Sequence, residues 1–186
     1  MILRKTTCNY IYGFLSIAFG NAFAYGQSTT ASEYELKAVF IFNFTQFVQW
    51  PATSFSSEHA PLVIGILGED PFGPYLNDVI SGEKVDGHPL VIEHYATAGD
   101  IKNCHILFVS KNEITRFGQL AATLKKQNVL TVGDAPTFLM QEGMIKLLTK
   151  NNKIQLQINI ESVKESNLVI SSKLLRLAEI YTPDKK

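Results

Sequence analysis

Two glycines, Gly68 and Gly73, follow the apolar run "VIGIL" with the spacing of a phosphate-binding loop. Such a loop needs a following Lys for the phosphate charge and a Ser or Thr hydroxyl for magnesium. Here a proline and a tyrosine take those places, and two acids between the glycines would oppose a phosphate. We therefore interpret the segment as a turn into a helix, with Asp70 as the helix cap and Pro71 in the first helical position.

Motifs of other enzyme classes are equally incomplete. The sequence has neither the G-x-S-x-G of a hydrolase elbow nor the G-x-G-x-x-G of a dinucleotide site. The four histidines are scattered, and only His94 and His105, both near predicted strand ends, could meet in space. We therefore predict a protein that is not an enzyme, with no catalytic residues, no metal and no cofactor. An unrecognised hydrolase remains an alternative.

Polar residues follow several of the predicted strands. Gly68, Asp70, Ser110 and Asp134 each come directly after, or within a few residues of, an apolar run. The carboxyl ends of parallel strands commonly bind ligands, so these four residues are candidates for a ligand crevice. The alternative for the two aspartates is helix capping, because a proline follows each of them within two residues. The crevice favours a second functional hypothesis, a periplasmic small-ligand receptor serving a sensor kinase or a transport system.

The first 24 residues have the features of a cleavable signal peptide. A short basic start precedes an apolar run, and Ala22-Phe23-Ala24 gives an A-x-A cleavage pattern. We therefore expect a periplasmic protein, with residues 25–33 as a short tail; an uncleaved anchor is the alternative. Cleavage would leave 15 basic and 17 acidic residues. This balance does not favour nucleic acid, which requires clustered Lys and Arg.

Cys104 is the only cysteine that would survive cleavage. An internal disulfide is therefore excluded in the mature chain. Cys104 begins the apolar run "CHILFV", which favours a buried thiol that packs as a small apolar side chain. An intermolecular disulfide or a redox sensor is the alternative.

The elements that position these residues alternate between helices and strands. A capping box at Ser32 and Glu35 predicts the start of a helix that runs from Tyr34 to Trp50. Apolar runs and three-and-four spacing then predict the elements that follow: Leu62–Leu67 (strand), Phe72–Ile80 (helix), Leu90–Tyr95 (strand), His105–Ser110 (strand), Ile114–Leu124 (helix) and Val129–Val132 (strand). The predicted fold is α/β, a mainly parallel sheet flanked by helices on both faces.

The C-terminal part of the sequence has a different pattern. Met144–Thr149 and the alternating "IQLQINI" flank a polar turn, which predicts an antiparallel hairpin at the edge of the sheet. A short helix capped by Asn159 should follow. The segment "SSKLLRLAEI" is predicted to form a final helix that docks Leu174, Leu175, Leu177 and Ala178 inward.

Aromatic residues crowd the first helix. Phe44, Phe47 and Trp50 cannot all face one core stripe together with the other aromatics of "YELKAVFIFNFTQFVQW". Because aromatic residues are enriched at interface hot spots, these three are candidates for a partner or dimer surface, and we expect a homodimer. Burial in the core is the alternative for each.

Several blocks together resemble the YfiR-like family of periplasmic regulators. They are "YELKAVFIFNFTQFVQWP", "IGILGEDPFG", "CHILFVS", "VLTVGD" and "EGMIKLLTKNNKIQLQINIESVKESNLVISSKLLRLAEIY". The resemblance covers residues 34–181, which we predict to be a single domain followed by a short tail, 182–186. Leu168, Ile170 and Arg176 lie in the last block and form a second candidate partner surface.

The resemblance implies a regulator. It implies that the chain binds the periplasmic part of an inner-membrane diguanylate cyclase and represses it, which would lower cyclic di-GMP and biofilm formation. It further implies an outer-membrane lipoprotein that relieves the repression. Family members joined to sensor kinases make such a kinase the other possible partner. One member of the family has internal disulfides that tie it to redox state, and a mature chain with Cys104 alone cannot use that mechanism within one molecule.

Overall fold

The computed structural model describes residues 28–183, so the predicted signal peptide lies outside the described residues. Within this range no helix is both long and apolar enough to cross a membrane. The helices and strands, in chain order, are as follows: α1 Ser28–Phe47, β1 Val48–Gln49, β2 Leu62–Leu67, α2 Pro74–Ile80, β3 Lys84–Val85, β4 His88–Tyr95, β5 Ile106–Val109, α3 Ile114–Lys126, β6 Leu130–Gly133, β7 Ile145–Lys150, β8 Lys153–Asn159, α4 Ile160–Lys164, β9 Val169–Ile170, α5 Ser172–Leu175 and β10 Ala178–Tyr181.

Eight strands form the main sheet, in the order β10-β8-β7-β6-β5-β2-β4-β3. β4, β2, β5, β6 and β7 run parallel, while β3 pairs antiparallel with β4 and β8 pairs antiparallel with β7. From β2 the chain moves to β4 on one side and then returns to β5 on the other side. The predicted α/β fold with a mainly parallel sheet is confirmed, and the change of direction places a topological switch point between β2 and β5.

Two apolar cores, one on each face, hold the sheet between layers of helix. β2 and β5 are buried along their whole length, as expected for parallel strands covered on both sides. Ile64 and Phe108 belong to the core under α1, α2 and α4. Leu67 and Leu107 belong to the opposite core under α3. The strand pattern therefore sends alternate side chains into the two cores.

α1 differs from its prediction at both ends. It includes Ser28, so Ser32 lies inside the helix and the predicted capping box is wrong. Its last residue is Phe47, and the chain continues as β1, which pairs antiparallel with β9. Ala38 and Ile41 are fully buried against the sheet. The apolar surplus of this helix is thus explained largely by its central position over the sheet.

The end of the chain differs most from the prediction. The hairpin of β7 and β8 turns at Asn151 and Asn152, which both have positive φ, as the tightest hairpin turns require. Beyond it, α5 ends at Leu175, and the next residues form β10, parallel to β8. The predicted final helix is therefore wrong after Leu175, and Leu177 is 72% exposed. These residues form a strand instead of a helix because β10 pairs with β8 and satisfies the backbone hydrogen-bonding groups along its outer edge.

Candidate functional site

A crevice opens at the switch point, where the carboxyl ends of β2, β5 and β6 meet. Gly68 follows β2, Ser110 follows β5 and Asp134 follows β6, so three of the four predicted crevice residues come together. Gly68 has a φ of +86°, and a Cβ added to it would lie 2.6 Å from Ser110 Oγ. The cavity has a volume of about 230 Å³ and is lined by Tyr34, Glu69, Pro71, Phe108, Ser110, Lys111, Asn112 and Asp134.

A buried ion pair connects the crevice residue Asp134 to α1. Lys37 of α1 donates from Nζ to Asp134 Oδ2 at 2.6 Å and lies 2.5 Å from Glu33 Oε1. Tyr34 Oη donates to the same Asp134 oxygen at 2.8 Å. Buried charges are tolerated when they are paired and hydrogen-bonded. The hydrogen bond between Lys37 and Asp134, which are 97 residues apart in the sequence, therefore joins the N-terminal half of α1 to the end of β6.

The ion pair changes the ionisation of its neighbours. Burial raises the pKa of Glu33, but hydrogen bonds from Lys37 and Thr149 and the charges of Lys37 and Lys111 outweigh burial, so this pKa lies below its usual range. Burial, together with its hydrogen bond to the carboxylate of Asp134, raises the pKa of Tyr34 well above its usual range. Tyr34 is therefore a neutral donor at physiological pH, and Glu33 is ionised.

Two polar atoms of the crevice have no hydrogen-bond partner among the described residues. They are Asp134 Oδ1 and Ser110 Oγ. Ser110 precedes a turn of 3₁₀ helix at Lys111–Glu113, but its hydroxyl makes no capping hydrogen bond there. Buried polar atoms are satisfied in the great majority of cases. These two atoms distinguish the crevice chemically from an ordinary surface groove.

Of the four predicted crevice residues, Ser110 and Asp134 line the cavity, whereas Gly68 and Asp70 do not. Asp70 lies in the turn before α2. Its Oδ1 accepts from the backbone N–H of Phe72 at 2.8 Å, and its Oδ2 pairs with His94 Nε2 at 2.9 Å. The following helix, α2, begins at Pro74, after Gly73. Asp70 therefore stabilises the turn itself, and its assignment as the helix cap with Pro71 as the first helical residue is wrong.

A second site combines the two predicted partner surfaces. β1 pairs with β9 through Val48↔Ile170 and Gln49↔Val169, which joins the end of α1 to the segment before α5. We call the half-buried or exposed apolar residues around this pair the ribbon surface: Phe47, Trp50, Val169 and Ile170. Val169 is 58% exposed and was missed by the sequence analysis. The sequence gives no signal for it, because Leu168, Val169 and Ile170 are all apolar.

Some predicted partner residues have other positions. Phe44 is fully buried and Leu168 is buried in the core, so neither side chain is available on a surface, and their assignment to one is corrected. Helical spacing explains Phe44, which lies one turn from the core residue Ile41. Arg176 is exposed at the end of α5. Trp50 is half-buried and donates from Nε1 to the backbone oxygen of His105 at 3.2 Å.

A histidine cluster lies next to Trp50 at the amino end of the sheet. The ring of Phe55 stacks between His88, at 3.8 Å, and His105, at 4.5 Å. His105 Nδ1 accepts from the backbone N–H of Val63 at 3.1 Å, which requires a neutral ring. Burial and the nearby His88 lower the pKa of His105 to about 4. His94 lies at the opposite edge of the sheet, so the predicted meeting of His94 and His105 is wrong.

The pKa of His105 makes the stability of the fold depend on pH. Above the unfolded pKa of about 6.5 the ring is neutral in both states and contributes nothing. Between pH 6.5 and 4 the unfolded chain binds a proton that the folded chain does not. We expect this to lower the free energy of unfolding by about 1–3 kcal/mol at pH 4.5 relative to pH 7.

Urea denaturation at the two pH values measures this difference. His105→Asn keeps a hydrogen-bond acceptor for Val63 and should remove most of the His105 contribution. The matched control is His59→Asn, because the exposed His59 side chain makes no hydrogen bond or ion pair among the described residues; its replacement should leave the difference between the two pH values as in the unchanged chain. An equal pH dependence in the chain and in His105→Asn would contradict the assignment.

Cys104 is buried, which confirms the predicted burial of the thiol. Its Sγ lies 3.1 Å from the backbone oxygen of Ile106. Burial raises the pKa of Cys104 to about 12, so the thiol is protonated at physiological pH. Since the thiolate is the reactive form, the structure favours a packing role over a redox role. Across residues 28–183, no group of three or more His, Cys, Asp or Glu side chains could hold a metal ion.

The chain matches a family of known proteins. A family model described as YfiR/HmsC-like matches residues 34–179, which confirms the predicted resemblance. No curated protein matches the chain. The matched range begins in α1 and ends in β10, and it includes both the crevice and the ribbon surface.

Proposed function

Because the chain belongs to the YfiR/HmsC-like family, we propose that it is an exported, non-enzymatic regulator of an inner-membrane signalling enzyme. In this proposal it binds the periplasmic part of a diguanylate cyclase and represses it, which lowers cyclic di-GMP and biofilm formation. A sensor kinase is the other class of partner. An outer-membrane lipoprotein that relieves the repression, and a homodimeric state, complete the proposal.

The family match over residues 34–179 is the observation that carries this proposal. The ribbon surface supports it, because Val169 exposes most of an apolar side chain in a strand that lies outside the main sheet. Interfaces gain much of their affinity from a few such apolar and aromatic residues. Trp50, held by its hydrogen bond to His105, would present a pre-oriented aromatic ring beside it.

The serines also fit a role without catalysis. Ser110 Oγ has no hydrogen-bond partner among the described residues, so no base lies in position to activate it. Ser171 Oγ accepts from the backbone N–H of Leu174 and caps α5. Neither hydroxyl has the arrangement that a nucleophile requires.

Cyclic di-GMP in the source organism tests the proposed activity. Deletion of the gene should raise cyclic di-GMP several-fold, and expression of the full chain should restore the original level. A chain without residues 1–24 serves as the control, since it would stay on the side of the membrane away from the partner's periplasmic part. Unchanged cyclic di-GMP after deletion, or equal restoration by the control, would contradict the proposal.

A small-ligand receptor is the second candidate function. The two unpartnered polar atoms in the crevice, Asp134 Oδ1 and Ser110 Oγ, favour it specifically. Both functions could operate in one molecule, because a ligand at the switch point would contact α1, whose other end leads into β1 of the ribbon surface.

A further inference from the structure

The crevice at the switch point holds two polar groups that the protein itself leaves unsatisfied. Ser110 is 6% exposed and Asp134 is 8% exposed, and both line the same cavity of about 230 Å³. Ser110 Oγ and Asp134 Oδ1 lack partners within the described part of the chain. A buried polar group without a partner is costly, so a ligand able to satisfy both atoms would gain from binding there.

The charged groups around the cavity disfavour an anion. Lys37 and Lys111 lie on Asp134 Oδ2, at 2.6 Å and 3.5 Å, and Glu33 pairs with Lys37. Glu69 also lines the cavity, so two cations face three carboxylates. An anionic ligand would add to this excess of negative charge, and the burial of a charge without a partner is expensive.

The two unsatisfied atoms select a hydroxyl group. The Asp134 carboxylate pairs with Lys37 and accepts from Tyr34 through Oδ2. Its other oxygen, Oδ1, carries no proton and can only accept a hydrogen bond. Ser110 Oγ can donate or accept. A ligand hydroxyl can donate to Asp134 Oδ1 and accept from Ser110 Oγ at the same time. A carbonyl or ether oxygen cannot donate, and an ammonium has no lone pair that could accept from Ser110 Oγ.

The size and walls of the cavity indicate several hydroxyls on a compact carbon frame. Its volume is well above the share of about 30 Å³ that one water occupies in the liquid. Tyr34, Pro71 and Phe108 give it apolar walls for C–H groups. We propose that the crevice binds a small neutral polyhydroxyl molecule, a monosaccharide or a cyclic polyol, through Asp134 Oδ1 and Ser110 Oγ. This inference rests on the second candidate function and not on the regulator.

Calorimetric titration of the purified full chain tests the proposed ligand class. The neutral probes are D-glucose and myo-inositol, which distinguish a sugar from a cyclic polyol, and the charged probes are glycolate and ethanolamine. We expect at least one neutral probe to bind with a dissociation constant in the millimolar range or lower, and both charged probes to bind more weakly. Ser110→Ala should weaken the neutral probe about tenfold.

Two further variants make the test specific. Ser57→Ala removes an exposed hydroxyl before β2, at the opposite edge of the sheet, and should leave binding unchanged. Lys111→Gln should weaken an anionic ligand strongly and a neutral one only slightly. Thermal unfolding of Ser110→Ala should occur at the same temperature as that of the unchanged chain or at a higher one, since this buried hydroxyl has no partner among the described residues.

Several results would overturn the proposal. One is that a neutral probe binds the Ser110→Ala and Ser57→Ala variants with equal affinity. Another is that the chain binds glycolate or ethanolamine more tightly than it binds the neutral probes. The third is that neither neutral probe binds. Because the titration needs no membrane partner, its failure would leave the regulator proposal standing. Conversely, unchanged cyclic di-GMP in the deletion strain would leave the titration result intact.

Discussion

Replacement of Lys37 by methionine is expected to lower the free energy of unfolding by about 3–5 kcal/mol. Methionine matches the apolar stem of lysine but removes the ammonium that bonds Asp134 at 2.6 Å. The buried carboxylate of Asp134 would keep only the hydroxyl of Tyr34 and the distant, exposed Lys111, at 3.5 Å. Breaking one side of a buried ion pair is costly because the other charge stays buried without its partner.

Urea denaturation at pH 7 measures the effect of Lys37→Met. A matched control is Lys164→Met, because Lys164 pairs with Glu161 at 3.1 Å on the exposed surface of α4. That loss should be about 0.5 kcal/mol or less. The double variant Lys37→Met/Asp134→Leu removes both charges and should recover much of the lost stability. A loss for Lys37→Met no larger than that of the control would contradict a structural role for the buried pair.

Replacement of Val169 by aspartate is expected to abolish repression of the membrane enzyme while the fold persists. Val169 is 58% exposed, so a charge there stays in water in the free protein. In an apolar interface the same charge would lose its hydration, at a cost of about 3 kcal/mol or more, equivalent to roughly 100-fold in affinity. Cyclic di-GMP in a deletion strain that carries Val169→Asp should therefore stay as high as without the gene.

The control for Val169→Asp is Met140→Asp. Met140 is 71% exposed and lies in the turn Leu139–Gln141, whose buried residue belongs to the opposite core. It therefore tests an equivalent change on the far side of the sheet. Met140→Asp should restore low cyclic di-GMP like the unchanged chain. Equal effects of the two variants would contradict the assignment of the ribbon surface.

The sheet could be predicted because its strands have local signals. β2 was predicted with its observed bounds, Leu62–Leu67, since a continuous apolar run before a glycine is typical of a strand buried on both faces. β1 and β9 have two residues each and pair across 122 positions at Val48↔Ile170. Such short strands carry no periodicity, so only the folded chain reveals them. β10 was missed because the leucines before it also fit helical spacing.

The crevice was partly predictable for a similar reason. Parallel strands place their carboxyl ends at one edge, so Gly68, Ser110 and Asp134 could be grouped from the sequence alone. The position of α1 over that edge is a tertiary property, and the contacts of Tyr34 and Lys37 with Asp134 did not follow from any motif. One signal existed: a lysine inside an almost wholly apolar helix must have its charge paired if it is buried.

Photo-crosslinking in intact cells tests the central claim most directly. A photoreactive amino acid is placed at Val169 on the ribbon surface or, as the control, at exposed Met140, and the cross-linked products are identified. We predict that Val169 cross-links to an inner-membrane protein with a diguanylate cyclase or kinase domain, and that Met140 does not. Equal cross-linking from both positions, no membrane product from Val169, or a product with only a second copy of the chain would contradict the account.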